Sequence, residues 1–207
     1  MALEYPEAEV RGLDMADMSP STIRPQNVFF DLHNALEGLP YGDNTFDLIH
    51  MRLLIAAWRK DEWAFILKEI YRVLKPGGYV QLVESDFTVS QKNSMVELFN
   101  KTLYTTMSER GHDPWIIQHL EDLLPGSGFK IEERVIKMVN YGEKGNPISQ
   151  EMMWNWKSAM KAMKPMLAYR LLRNTDDYDR FIDKYIHECE TDGLYIRIGA
   201  FAARKPL

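Results

Sequence analysis

Cysteine is all but missing from this 207-residue chain. Cys189 stands alone, so there is no intrachain disulfide framework and no zinc site built on several thiolates. Its neighbours Glu188 and Glu190 disfavour a thiolate, which makes Cys189 a structural residue. An excess of positive charge is also missing. The formal net charge is −5, whereas binding to a nucleic-acid backbone draws on a basic face. Lys157, Lys161 and Lys164 recur at helical spacing and read as a solvated helix face. No apolar run is long enough to span a bilayer; the longest, around Leu48–Trp58, contains His50 and Arg52. The opening MALEYPEAEV is acidic and has no cationic head or apolar centre of a secretory signal. These absences predict a cytoplasmic protein with no nucleic-acid and no membrane partner. Neither a G-x-S-x-G elbow nor a G-x-x-x-x-G-K-[ST] phosphate loop is present. His33, His50, His112, His119 and His187 form no pair at metal-ligand spacing, so no metal site is expected. Glycine is scarce at the amino terminus, where Gly12 is followed only by Gly38.

What is present suits one domain with a helical elaboration: 45% hydrophobic and 27% charged residues, at a length that buries a core without staples. VRGLD (Val10–Asp14) reads as a short strand ending in an acid, and VFFDL (Val28–Leu32) as a second. Met18–Pro25, punctuated by prolines and serines, reads as loop or broken helix. Gly38, Pro40 and Gly42-Asp43-Asn44 are turn chemistry. Phe46–Met51 is a third strand whose almost unbroken apolar character predicts cover on both sheet faces. Asp61–Leu74 is the clearest helix: Asp61 is placed to cap it, and Trp63, Ile66, Leu67, Ile70, Val73 and Leu74 recur at helical spacing. Pro76-Gly77-Gly78 then turns into a strand over Tyr79–Glu84. Strand, helix, tight turn and strand is the alternation of a parallel α/β sheet.

Beyond residue 90 the texture changes. Helices are expected over Asn93–Arg110, Trp115–Leu124, Ser149–Arg173 and Asp176–Glu190, with strands over Lys130–Tyr141 and Tyr195–Arg204. Met152, Met153, Trp154, Trp156, Met160, Met163 and Met166 form an adaptable apolar stripe. Two readings stay open for it: a helical layer packing on the sheet, or a lid over an apolar substrate.

A carboxylate such as Asp14, at the end of a parallel strand, can accept two hydrogen bonds from a ribose diol; a loop acid or helix cap is the plainer alternative. Asn34, just after the second strand, could read an adenine edge. The order VRGLDMADMSP, NALEGLPYGDNTFDLIHMRLL, LKEIYRVLKPGGYVQLVESD resembles the second half of a class I S-adenosylmethionine-dependent methyltransferase, over roughly Tyr5 to Asp86. The HMRLL variant and the long helical half are similar to fungal methyltransferases linked to secondary metabolism. The resemblance implies a Rossmann-like α/β sandwich with a mostly parallel sheet and S-adenosylmethionine as cofactor. It gives Asp14 the ribose hydroxyls and Met15 a face of the adenine. Asn34 and Ala35 fall at the adenine amino edge, where an Asn carbonyl can still accept. His50, Met51 and Arg52 fall where the reacting methyl group is faced, and Glu84 and Asp86 near the substrate mouth. LKPGG is implied to be a structural turn that does not touch cofactor.

The same resemblance exposes a departure. The family's glycine-rich loop, which follows its first strand and holds the amino-acid end of the cofactor, has no counterpart here. The first strand and helix are expected to be missing, leaving a single shortened methyltransferase domain over 1–207, with a cofactor-side half over 1–90 and a helical substrate side over 91–207. Three repairs are open: the flanking strands pair directly, another chain (as in a homodimer) supplies the strand, or the chain is a piece of a longer protein that carries it. The expected function is methyl transfer to a small, partly apolar acceptor, suggested by Trp154, Trp156, Tyr104 and the methionines. His50 is the first candidate base, with Glu84 second. Transfer is impaired by loss of the glycine loop, so a non-catalytic methyltransferase-like binding or regulatory protein is the alternative. A nicotinamide oxidoreductase shares the sheet, but LPYGDNTFD and LKPGG speak against it.

Overall fold

The computed structural model describes residues 2–17 and 24–207, so most of the Met18–Pro25 segment lies outside the described residues. Six strands and six α-helices are built from these residues: β1 (Val10–Asp14), β2 (Val28–Leu32), β3 (Phe46–Arg52), α1 (Glu62–Val73), β4 (Leu74–Asp86), α2 (Ser94–Glu109), α3 (Ile116–Gly126), β5 (Lys130–Asn140), α4 (Pro147–Ala162), α5 (Lys164–Leu171), α6 (Tyr178–Asp192) and β6 (Tyr195–Arg204). The strands form two sheets rather than one. β1 and β2 pair in parallel by themselves, while the other four run in the order β3-β4-β6-β5. β3 and β4 are parallel; β6 runs antiparallel to both β4 and β5. Direct pairing of β1 with β3, the first of the three repairs, is therefore not what the chain does.

The core forms where periodic apolar faces meet. Trp63, Ile66, Leu67, Ile70 and Val73 of α1 are buried, as are Ile116, Ile117, Leu120 and Leu124 of α3. Both helices lie against β4, where Val80 and Leu82 point into the core with Phe201 and Ala203 of β6. The opposite sheet face is open. There Leu48 and His50 stand beside Tyr79 and Gln81, followed by Arg204 and Ala202 of β6. Leu48 is 46% exposed and Tyr79 39%. The cover on both faces expected from the apolar run at Phe46–Met51 is thus present on one face only. Among the described residues no helix lies on the other.

Several local expectations shift for physical reasons. Asp61 precedes α1 but its side chain caps nothing; the carboxylate of Glu62 accepts from Arg59 N–H instead, at 2.7 Å. Pro76-Gly77-Gly78 forms a bulged turn inside β4: Leu74 lies opposite Phe46 and Tyr79 opposite Leu48, so the motif is extra chain between two paired positions. Gly77, at φ +79, donates to the Lys205 carbonyl, and Lys205 returns a bond to Gly78, so the motif is zipped to the chain end. The single helix expected over Ser149–Arg173 is two, because Pro165 can sit in the first turn of α5 but not inside a continuous helix. In the stripe, Met153, Trp156 and Met160 turn into the core while Trp154 is 69% exposed, and α4 packs against α6 and α5. Lys157 and Lys161 pair with Asp183, and Lys164 with Asp179, tying α4 and α5 to α6.

Candidate functional site

The carboxyl ends of β1 and β2 bring the first two candidate residues together. Asp14 ends β1 opposite Leu32, and its carbonyl accepts from His33 N–H at 2.9 Å, so Asp14 and Asn34 share one end of the pair. The Asp14 carboxylate accepts from Ala16 N–H at 2.9 Å, closing a local turn that leaves Met15 75% exposed. Asn34 caps the short 3-10 turn Ala35–Glu37: its side-chain oxygen accepts from Leu36 N–H at 3.1 Å and its amide donates to Glu37. Ala35 packs against the core. A ligand reading the Asn34 amide would compete with these local bonds.

The segment after that turn is fixed by a cation. The Arg72 guanidinium donates to the Leu39 and Tyr41 carbonyls and to Asp43 and Glu69. Its hydrogen bonds to Glu69 and Asp43 hold it firmly protonated, and Glu69 is lowered by the same contact. Sequence reasoning missed this hub, since a basic residue near a helix carboxyl end has a sufficient local explanation.

His50 lies within β3, on the open face; the strand continues to Arg52, two residues past the position where a strand-end group was expected. Its Nδ1 is 2.9 Å from Gln81 Oε1 on the neighbouring strand. Glu84 points the other way, into the core, with no exposure at all. Its two oxygens accept from Leu54 N–H at 2.9 Å and Ile55 N–H at 3.2 Å. Burial raises its pKa to about 7, against the opposing pull of those backbone donors. The loop it grips starts at Leu53, which adopts φ +56, a left-handed conformation uncommon for such a residue. Asp86 is also fully buried; one oxygen accepts from Thr88 N–H and Oγ1, and the other lies 3.6 Å from Arg197. Next to it the Phe87 ring packs on Trp156, with centroids 4.9 Å apart.

The structure therefore joins Asp14, Met15, Asn34 and Ala35 in one neighbourhood and joins His50 to none of them by a hydrogen bond among the described residues. For an adenosine-type ligand the first group fits: a carboxylate at a strand end, an exposed apolar side chain and an amide. For the amino-acid arm of S-adenosylmethionine no glycine-rich cradle is present among the described residues between β1 and β3. Among the described residues no group of three or more His, Cys, Asp or Glu side chains could hold a metal ion, and no helix is long and apolar enough to cross a membrane.

The parallel pairs β1–β2 and β3–β4, the helix α1 feeding β4 and the antiparallel β6 beside it make up a Rossmann-like methyltransferase fold. Residues 2–82 match the family model described as a methyltransferase domain, so this part of the chain is similar to the class I S-adenosylmethionine-dependent methyltransferases. Among curated proteins it is 30% identical over 168 residues to the secondary metabolism regulator LAE1 of Cochliobolus heterostrophus, covering 75% of this chain and 52% of that one. It is 26% identical over 141 residues to the methyltransferase str3 of Strobilurus tenacellus, covering 66% and 50%. The chain thus spans about half the length of these fungal relatives. Among solved structures, the cyclopropane synthase MmaA2 of Mycobacterium tuberculosis superimposes with a TM-score of 0.59 at 15% identity, over 99% of this chain and 72% of that one. The YcgJ protein of Bacillus subtilis gives 0.57 at 14% identity, over 100% and 87%.

Proposed function

We propose that this chain carries the adenosine-binding half of an S-adenosylmethionine site and serves methyl transfer to a small, partly apolar acceptor, in a form weakened by the absent glycine-rich loop. The observation that supports this most is the meeting of Asp14 and Asn34 at one end of the β1–β2 pair, with Met15 exposed between them. When bound, the cofactor supplies a methyl group on a sulfonium that is already a strong electrophile. The chain's own residues then have three tasks: holding the ribose at Asp14, bracketing the adenine with Met15 and Asn34, and keeping water from the acceptor. A base is needed only where the acceptor must lose a proton. His50, whose ring is accessible on the open face, is better placed for that than Glu84, whose oxygens are both taken by backbone N–H groups. Glu84 is then a positioning residue for the loop after β3.

The split sheet favours a second reading, a non-catalytic methyltransferase-like protein, and titration calorimetry separates the two. Binding of S-adenosylmethionine that is lost in Asp14→Ala supports the first reading. Absence of binding at millimolar ligand supports the second, and binding unchanged in Asp14→Ala removes Asp14 from the site.

A further inference from the structure

We propose that loop 53–60, which joins β3 to α1, is a proton-operated gate, shut while Glu84 holds its proton and opening as that proton leaves. This goes beyond methyl transfer, because it concerns a movement of the chain that stands or falls whatever the site binds.

The shut form is built around one side chain. Glu84 is fully buried near the end of β4, and its two oxygens accept from Leu54 N–H at 2.9 Å and Ile55 N–H at 3.2 Å. From the α3 side the seal is close: Gly199 of β6 is the ladder partner of Glu84, and a Cβ there would meet the Ile117 side chain at 2.7 Å. Water reaches the carboxyl only where the loop lifts. The charged groups on the surrounding elements are engaged elsewhere. Asp86 of the same strand lies 3.6 Å from Arg197 of β6, Asp113 at the head of α3 pairs with His119, and Glu62 of α1 accepts from Arg59 N–H of the loop. The side chains of Arg52, Arg59 and Lys60 are exposed. No charged neighbour accounts for the Glu84 shift: burial raises it to about 7, and the N–H groups of Leu54, Ile55 and Ser85 offset that only in part. The ionised carboxylate has no cation to turn to in the shut form and gains water in the open one.

The loop is built as a hinged segment. At its start the left-handed Leu53 keeps a conformation that a bulky residue holds only where its surroundings impose it, here through Leu53 N–H to the Val83 carbonyl at 2.9 Å. At its far end Lys60 N–H donates to the Gly111 carbonyl at 2.8 Å, and Nδ1 of His112 lies 2.9 Å from the Trp58 carbonyl oxygen. Between these ends Ala56 and Ala57 are exposed, and Ile55 is the one fully buried side chain. Opening breaks the two bonds to Glu84 and draws Ile55 from the core, with the far end as pivot.

Linkage fixes the direction. Shut in, the carboxyl keeps its proton up to about pH 7; opened into water, it releases it near its ordinary 4.5. Below pH 4.5 both forms are protonated, and pH does not move the balance. From 4.5 to 7 each pH unit favours the open form by up to about tenfold, on the order of a hundredfold in all, and above 7 the balance levels off. The loop leads directly out of His50, Met51 and Arg52. In the methyl-transfer reading its opening therefore widens the approach to that end of β3 as pH rises, and this consequence alone rests on that reading.

The test follows amide exchange in the whole 207-residue chain between pH 4.5 and 8, each rate divided by that of an unprotected amide at the same pH. The Leu54 and Ile55 amides should open at least about tenfold more often than those of Leu67 and Ile70 in α1, because they open locally rather than with the whole fold. That opening should grow on the order of a hundredfold between pH 4.5 and 7 and change little by pH 8. Low urea, which promotes global unfolding, should leave it unaltered. In Glu84→Gln the same two amides should open equally at every pH, to within about threefold, since the amide does not ionise; should that variant not fold, the parent chain alone decides. Loop amides that open no more often than α1, an opening that ignores pH, or a Gln variant that keeps the pH dependence would each overturn the proposal. None of these readouts involves S-adenosylmethionine, so failure here is distinct from failure of the methyl-transfer reading.

Discussion

Replacing Glu84 by Gln should flatten a pH dependence of stability that the buried carboxyl creates. Glu84 has an ordinary pKa of 4.5 in the unfolded chain and one of about 7 when folded, chiefly because burial penalises its charge. Below pH 4.5 both states hold the proton, and folding carries no charge-burial penalty. Between 4.5 and 7 the folded state holds more protons than the unfolded one, so stability falls as pH rises. Above pH 7 the carboxylate is ionised in both states and the full penalty applies. A shift of this size is worth about 3 kcal/mol. Gln keeps the shape, but only its oxygen can accept, so one of the Leu54 and Ile55 N–H groups loses its partner at a pH-independent cost of about 1–3 kcal/mol. Urea unfolding followed by tryptophan fluorescence at several pH values from 4.5 to 8 measures both effects. The wild type should lead the variant most at the acid end, and the lead should shrink by about 3 kcal/mol towards pH 8. A constant difference across that range would refute the reading of Glu84 as a buried carboxyl that resists ionisation.

Three further predictions rest on single contacts. Tyr185→Phe removes the hydroxyl that accepts from Trp156 Nε1 and donates to Asn100, both buried, and should cost about 1–3 kcal/mol in chemical denaturation; an unchanged midpoint would show that the chain of bonds is not made. Gly142→Ala would place a methyl group 1.9 Å from the Cys189 carbonyl oxygen and should cost at least about 2 kcal/mol, an expectation that a variant as stable as the parent would contradict. The Cys189 thiol is buried and pushed up to about 12 by desolvation, so a thiol reagent at pH 8 should label native protein far more slowly than protein in denaturant. Equal labelling rates would place the thiol at the surface.

Much of the fold could be read from the residues. β1 and β2 occupy the predicted residues, because a short apolar run ending in an acid and bounded by turn chemistry has few other conformations. α1 follows the spacing of Trp63 through Val73, and β6 matches its predicted span. The break at Met163 was missed because the apolar period runs through Pro165 without interruption, and only the ring's geometry stops the helix. The open sheet face was missed for a different reason. The β3 pattern is that of a strand covered on both sides, and the sequence of one strand cannot reveal that its covering element lies elsewhere. That Asp14 and Asn34 lie at the same end of the β1–β2 pair was legible because Asp14 ends one parallel strand and Asn34 closely follows the other. The grip of Glu84 on Leu54 and Ile55 was not, since a carboxylate satisfied by backbone N–H groups leaves no pattern in the sequence.

The proposal that this chain holds the adenosine side of the cofactor and not its methionine side is tested most directly by comparing two ligands in one calorimetric titration series. Adenosine and S-adenosylhomocysteine share the ribose and base that Asp14, Met15 and Asn34 would contact, and differ only in the amino-acid arm. The two should bind with affinities within about threefold of each other, and both should be lost in Asp14→Ala. S-adenosylhomocysteine binding more than tenfold tighter than adenosine would mean that residues of this chain do hold the arm, and neither ligand binding would mean that the adenosine side is not built either.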